Sequence, residues 1–171
     1  MKNIYLFILT LFFFGCQSSL IFSKKNLSIP CPSILFSSEH SNYIDSLSDN
    51  LSIENIDYSA EINNAIFTKK CILKDNIFLS ELSILFILRS HTDNIDYVEM
   101  PFYVAILNQD KELKEILYFM AFGNFKKDLN SNQLIETEVT KNIILNNKNI
   151  NKDSIIVVGY MLDKKRINLL N

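Results

Sequence analysis

The side chains with reactive chemistry are few: three cysteines (Cys16, Cys31, Cys71) and two histidines (His40, His91) in a chain of 171 residues. A serine hydrolase needs a hydroxyl, an imidazole and an orienting carboxylate brought together. His40 lies between Glu39 and Ser41, and His91 between Ser90 and Thr92, so each has candidate neighbours. Both stand in polar stretches where Ser, His and Asp are ordinary surface residues, and solvated loops are the expected setting. Glu136 and Glu138 share a strand face with Thr140. Glycosidase carboxylates sit on opposite sides of a substrate, which neighbours on one strand do not; a solvated sheet face is expected. Two histidines leave little for a His-based metal site. There is no Cys-x-x-Cys for redox work, no phosphate or dinucleotide loop, no H-E-x-x-H and no G-x-S-x-G. No catalytic residue, metal or cofactor is expected.

The chemistry that remains is at the N-terminus. Residues 4–14 (IYLFILTLFFF) form an apolar run behind Met1-Lys2-Asn3. At 11 residues it is shorter than the ~20 needed to span the hydrocarbon core, and it has the form of a secretory signal. Phe13-Phe14-Gly15-Cys16 followed by polar Gln17-Ser18-Ser19 resembles the lipobox of bacterial lipoproteins. That resemblance implies acylation of the Cys16 thiol by a diacylglyceryl group, cleavage before Cys16, and acylation of the new amine. Gln17 rather than Asp after the cysteine implies sorting to the outer membrane. The alternatives are an ordinary cleaved signal or an uncleaved anchor, and an anchor would have to carry Gln17-Ser18-Ser19 into lipid. Two or more acyl chains hold a protein on a membrane, one only marginally.

Charge supports a lipid tether. The chain has 17 basic and 19 acidic residues; losing residues 1–15 removes one lysine and no acid, leaving 16 against 19 and a net charge of −3. A slightly acidic domain gains nothing from an anionic surface, and without a basic excess nucleic acid is not an expected partner. With 48% apolar residues the chain is not disordered. Residues 16–30 form a lipidated start and polar linker, with Leu20-Ile21-Phe22 as a patch near the bilayer, and residues 31–171 form one domain. If Cys16 is lipidated, Cys31 and Cys71 remain in an oxidising compartment. A disulfide between them is expected, the alternative being two separate buried thiols.

The elements of that domain follow from a two-residue alternation. Residues 56–62 put Ile56, Tyr58, Ala60 and Ile62 on one face. Residues 77–89 align Phe78, Leu82, Ile84, Phe86 and Leu88 opposite Glu81 and Ser83. Residues 98–107 align Val98, Met100, Phe102, Val104 and Ile106, with Pro101 suggesting an edge or a bulge because it cannot donate to a ladder. Residues 113–122 are apolar on both faces after Ile116; a helix is the alternative there. Ile135, Thr137 and Val139 alternate with polar residues, and 155–162 is a buried-looking run containing Gly159. Residues 39–52 look like a polar loop or irregular edge, and 163–170 a short closing helix capped by Asp163. In this Asn-rich chain, asparagines such as Asn64, Asn76, Asn94, Asn124 and Asn147 are expected to replace glycine at turns. The pattern predicts an all-β domain, an antiparallel β-sandwich immunoglobulin-like in architecture, with its topology open.

In order along the chain stand Cys31-Pro32, Asp57-Tyr58-Ser59-Ala60-Glu61-Ile62, Cys71, Met100-Pro101-Phe102-Tyr103-Val104-Ala105-Ile106 and Val158-Gly159-Tyr160-Met161-Leu162. This resembles a family of small alphaproteobacterial lipoproteins with a lipobox, a Cys-Pro start, an "EAEI" strand, a second Cys, an "LPYFVAV" strand and a C-terminal "VGFQLTPEEL". Where that family has its Pro-Glu-Glu run, this chain has Asp163-Lys164-Lys165-Arg166. The resemblance implies an envelope location and no particular activity. The expected function is a membrane-anchored envelope lipoprotein of structural or interaction type, on the periplasmic face of the outer membrane, with Tyr103 and Tyr160 as candidate partner-surface residues. The alternatives are an extracytoplasmic small-molecule or lipid carrier, with a cavity beneath Phe86, Phe102 or Phe119, and a hydrolase using His40 or His91.

Overall fold

A computed structural model describes residues 26–48, 51–92, 95–125 and 136–171. Cys16, the linker patch at 20–22, Asn94 and Ile135 lie outside the described residues. The strands are β1 (Leu27–Ser28), β2 (Ser33–Phe36), β3 (Asn42–Asp45), β4 (Tyr58–Phe67), β5 (Ile72–Lys74), β6 (Ile77–Ser90), β7 (Tyr97–Leu107), β8 (Leu113–Asn124), β9 (Glu136–Asn147) and β10 (Ile155–Tyr160), and helix α1 (Lys164–Leu170) closes the chain. They form two packed layers, an all-β sandwich. The first sheet is built on β6: β9 runs along one edge of it, while β4 and β5 pair in succession along the other, with β3 outside β4 and β1 outside β5. The second has the order β2-β10-β7-β8. The expected antiparallel β-sandwich is what forms: every pairing is antiparallel except β2 with β10, which is parallel.

The alternation predicted for β6 and β7 is what builds the core. Phe78, Leu82, Ile84, Phe86 and Leu88 face Met100, Phe102, Val104 and Ile106, all fully buried. Each such side chain contributes ~1.5–3 kcal/mol by leaving water. The rings of Phe86 and Phe102 pack edge to face at 5.2 Å, and Phe102 stacks on Phe119 at 5.5 Å. Aromatic rings therefore occupy the space in which a carrier would hold its ligand. Ser80 shares the inward face, and its hydroxyl donates to the Lys69 carbonyl at 2.9 Å.

Four local features differ from expectation or settle it. Residues 113–122 form strand β8, not a helix. The stretch 39–52 contains β3, with Tyr43 and Ile44 in the core. Pro101 sits in an internal strand, at neither an edge nor a bulge. Its carbonyl accepts from Met161 N at 2.9 Å, just past the end of β10 at Tyr160, so its missing N–H falls where the ladder has already stopped. Among the described residues the left-handed positions outside glycine are Asp75 and Asn76, with φ of 51° and 63°, and Lys111 at 63°. Asp75 and Asn76 form the two-residue loop between the paired Lys74 and Ile77, the primed turn that matches hairpin twist. Asn64, Asn124 and Asn147 instead lie in strands.

The C-terminal helix is fastened by one side chain. Asp163 caps α1 by accepting from Arg166 N at 2.8 Å. The Arg166 guanidinium donates to Ile44 O at 3.0 Å, to Asp45 at 2.5 Å and to Asp163 at 2.7 Å, and lies 5.1 Å from the Tyr43 ring centre. The Arg166 and Asp45 side chains are 19% and 23% exposed, between a surface pair and a buried one. Arg166→Met is therefore expected to cost about 1–3 kcal/mol. Urea unfolding measures that loss, and faster amide exchange in α1 than in β6 locates it.

Candidate functional site

The two outer faces of the sandwich differ in kind. On the first sheet, outward positions mix aliphatic and charged residues. Arg89 pairs with Glu136 at 2.8 Å and lies 3.8 Å from Glu61, and Lys69 pairs with Glu81 at 2.7 Å. Glu136 thus belongs to an ion pair on a solvated face, as its strand pattern suggests. On the second sheet the outward positions are almost all apolar. β7 presents Tyr97, Pro101, Tyr103, Ala105 and Leu107, paired across to Met120, Tyr118 and Ile116 of β8. On the other side Val157 and Gly159 of β10 lie beside Ala105 and Tyr103. Glu99 and Lys114 are the charged residues on this face of β7 and β8, and the Lys141 ammonium reaches the Phe122 ring, 5.9 Å from its centre.

This face has relief. Leu113, Tyr118 and Phe122 stand up from β8, at 54%, 63% and 47% exposure. Beside them runs a furrow of about 550 Å³ floored by Ala105 and Val157, with Met161, Leu162, His40 and Tyr103 closing the far side. Gly159 shapes it: a Cβ there would lie 2.6 Å from the Tyr103 hydroxyl and 3.0 Å from His40 Cβ, so the Tyr103 ring reaches across β10 only because position 159 has no side chain. The His40 ring meets Tyr103 edge-on at 5.8 Å, and its Nδ1–H donates to Tyr160 O at 2.9 Å. His40 is thereby held as part of the furrow wall. The Tyr103 ring is partly exposed. Gly159→Ala is expected to cost under about 1 kcal/mol of stability while displacing Tyr103. A urea midpoint lowered by less than about 1 M together with altered Tyr103 ring NMR shifts would show it.

Of the two candidate surface residues, Tyr103 lies on this face and Tyr160 does not. Ile156, Val158 and Tyr160 alternate inward, so Tyr160 is a fully buried core residue, 5.3 Å from the Tyr43 ring and 5.8 Å from Phe86. Its hydroxyl makes no hydrogen bond among the described residues, and burial holds its pKa well above the usual phenol value. Nearby, Tyr43 and Tyr58 both donate to Asp45 Oδ2, at 2.9 and 3.3 Å.

Among the described residues neither histidine completes a hydrolytic site. Ser59 Oγ and His91 Nε2 approach to 3.0 Å at an exposed position. The Asp57 carboxylate, two residues before Ser59, is turned instead to Ser46 Oγ at 3.0 Å and Leu47 N at 2.7 Å. Cys31 and Cys71 are joined as a disulfide, with Cα atoms 5.2 Å apart and Cys71 almost wholly buried. Tyr118, Ala105 and Met161 were not among the residues singled out from sequence. The signal for Tyr118 and Met161 was the two-faced apolarity of 113–122 and 155–162, more than a core requires. Compared with protein-family models, curated proteins and solved structures, the chain matches none.

Proposed function

We propose that this protein is a non-enzymatic, lipid-anchored module of a bacterial cell envelope, tethered through acylated Cys16 and presenting the outer face of its four-stranded sheet to a protein partner. The observation that carries the interaction is that face: contiguous aromatic and aliphatic residues along three strands with few charges, opposite a face of ordinary mixed character. Contiguous exposed apolar surface of this kind marks binding sites, and aromatic enrichment with charge depletion is the composition of interface cores. The signal-like run, Gly15-Cys16 and the motif order of the lipoprotein family support the location, and Gln17 favours the outer membrane.

A photo-crosslinking side chain at position 118, introduced in the native cell, is expected to give a protein adduct, while the same group at exposed Ile144 on the opposite face gives none. An adduct from position 144 with none from 118 would remove the assignment of the face.

A further inference from the structure

We infer that the domain rests on the membrane through the β5 end of its first sheet, the ligand of that surface being an anionic lipid headgroup layer. The inference rests on the proposed function for the acyl tether at Cys16, and on three observations for the surface. The first is where the tether leaves the fold. Leu27 and Ser28 of β1 pair with Leu73 and Ile72 of β5, Ile29 N donates to Cys71 O at 3.0 Å, and the Cys31–Cys71 disulfide closes the same corner. The chain arriving from Cys16 is therefore held beside β5. From Cys16 to Leu27 it runs 11 residues, a reach of at most ~40 Å. β6 has 14 residues and is itself ~45 Å long. Standing the sheet on its opposite end would require more reach than the tether has.

The second observation is charge. The molecule is net acidic, but its charge is divided along this sheet. At the β5 end Lys69, Lys70 and Lys74 are exposed, beside Asp75 and Glu81, and Glu81 is tied to Lys69 at 2.7 Å. The sequence just before β1 adds Lys24 and Lys25. At the other end, where Arg89 lies in register with Ser59 and Glu136, stand Asp45, Asp57, Glu61, Glu136 and Glu138, with Arg89 and Arg166 among them. The lysines thus gather at the tethered end and the carboxylates away from it. An anionic surface attracts the first and repels the second, which orients the domain even though its net charge is unfavourable.

The third observation is the make-up of the surface. Ile72 lies opposite Leu79, and Lys74 opposite Ile77, on the outward side of the β5–β6 hairpin, with Ile144 of β9 opposite Glu81. Lys69, Lys70, Ile72, Leu79 and Ile144 line a shallow hollow of about 180 Å³. Ile144 is 76% exposed and Ile77 38%. Exposed aliphatic residues ringed by lysines suit the boundary between headgroups and acyl chains. The aliphatic side chains enter it while the lysine stems lie along them and carry the ammonium groups out to the phosphates. The tether holds this surface at the bilayer, so a weak contact is enough to fix its orientation.

A photo-crosslinking side chain at position 144 of the acylated full chain, in native membranes, tests the surface. A phospholipid adduct is expected there, with little from position 138 on the same strand and face but toward the other end. In reconstituted vesicles the position-144 lipid adduct should form when phosphatidylglycerol is present. It should fall at least about tenfold in pure phosphatidylcholine, or when Lys70→Glu and Lys74→Glu, both at exposed side chains, are combined. Equal lipid adducts from 144 and 138, a yield indifferent to lipid charge and to the two substitutions, or a protein adduct at 144 in place of lipid overturns the inference. If Cys16 is acylated and position 144 gives no lipid adduct, this surface falls and the proposed function stands. If the native chain carries an unmodified Cys16, both fall.

Discussion

Removing the Cys31–Cys71 disulfide is expected to lower the unfolding free energy by about 4 kcal/mol. The bond spans 40 residues, and closing a loop of that length removes about 13 cal/mol/K from the unfolded chain in the chain-entropy model. Its placement adds to the effect. Cys31 ends the segment that leaves β1 for β2, and Cys71 precedes β5, so the bond ties the entry to the second sheet to an edge of the first. Ile29 N donates to Cys71 O at 3.0 Å, and that short pairing has little else to hold it once the sulfurs separate. Because Cys71 is buried, the test uses the double Cys→Ala variant, which avoids a buried hydroxyl. Urea unfolding should show the midpoint falling with the slope rising, since the unlinked chain exposes more surface. A loss below about 1 kcal/mol would mean that the folded domain does not depend on the bond.

The second large effect is alkaline unfolding. Tyr43, Tyr58 and Tyr160 are 3%, 4% and 0% exposed. Burial is the first cause raising each pKa above the ordinary phenol value, with Asp45 opposing ionisation of Tyr43, and Tyr43 and Asp45 opposing that of Tyr58. The sign follows from linkage. A phenol whose folded pKa is raised stays neutral when folded and ionises when unfolded, so its contribution is complete below the unfolded value near pH 10 and is lost as pH rises beyond it. Three such groups give a slope of up to about 4 kcal/mol per pH unit, near 1.4 for each proton released on unfolding. Stability should be flat from neutral pH to about 10 with respect to these groups, then fall steeply. The tyrosinate absorbance of these three should appear in one cooperative step together with loss of near-ultraviolet circular dichroism. Their ionisation in the folded protein below pH 11, with the dichroism intact, would contradict their burial.

The faces of β6 and β7 were legible because polar residues interrupt the alternation and set its phase: Glu81 and Ser83 in one strand, Glu99 in the other. The run 155–162 has no such marker. Ile155, Ile156, Val157 and Val158 are all apolar, so alternation alone could not assign Tyr160 to the core and Gly159 to the surface. β3 was hidden for a different reason. Asn42, Tyr43, Ile44 and Asp45 lie in a polar neighbourhood and are held by Arg166, more than a hundred residues away, a contact with no local signature. The parallel β2–β10 pair was likewise beyond local reading, since four residues carry no sign of strand direction. The furrow depends on the fit of Tyr103 over Gly159, two positions 56 residues apart whose meeting is set by register alone.

We propose that the molecule is held at a membrane through one sulfur, that of Cys16. Intact-mass and N-terminal peptide mass spectrometry of the protein extracted from its native envelope tests this most directly. The predicted result is a chain beginning at Cys16 with a diacylglyceryl thioether and an acylated amine, and a Cys16→Ser variant that no longer fractionates with membranes. A native chain that retains Met1, or that carries an unmodified Cys16, would contradict it.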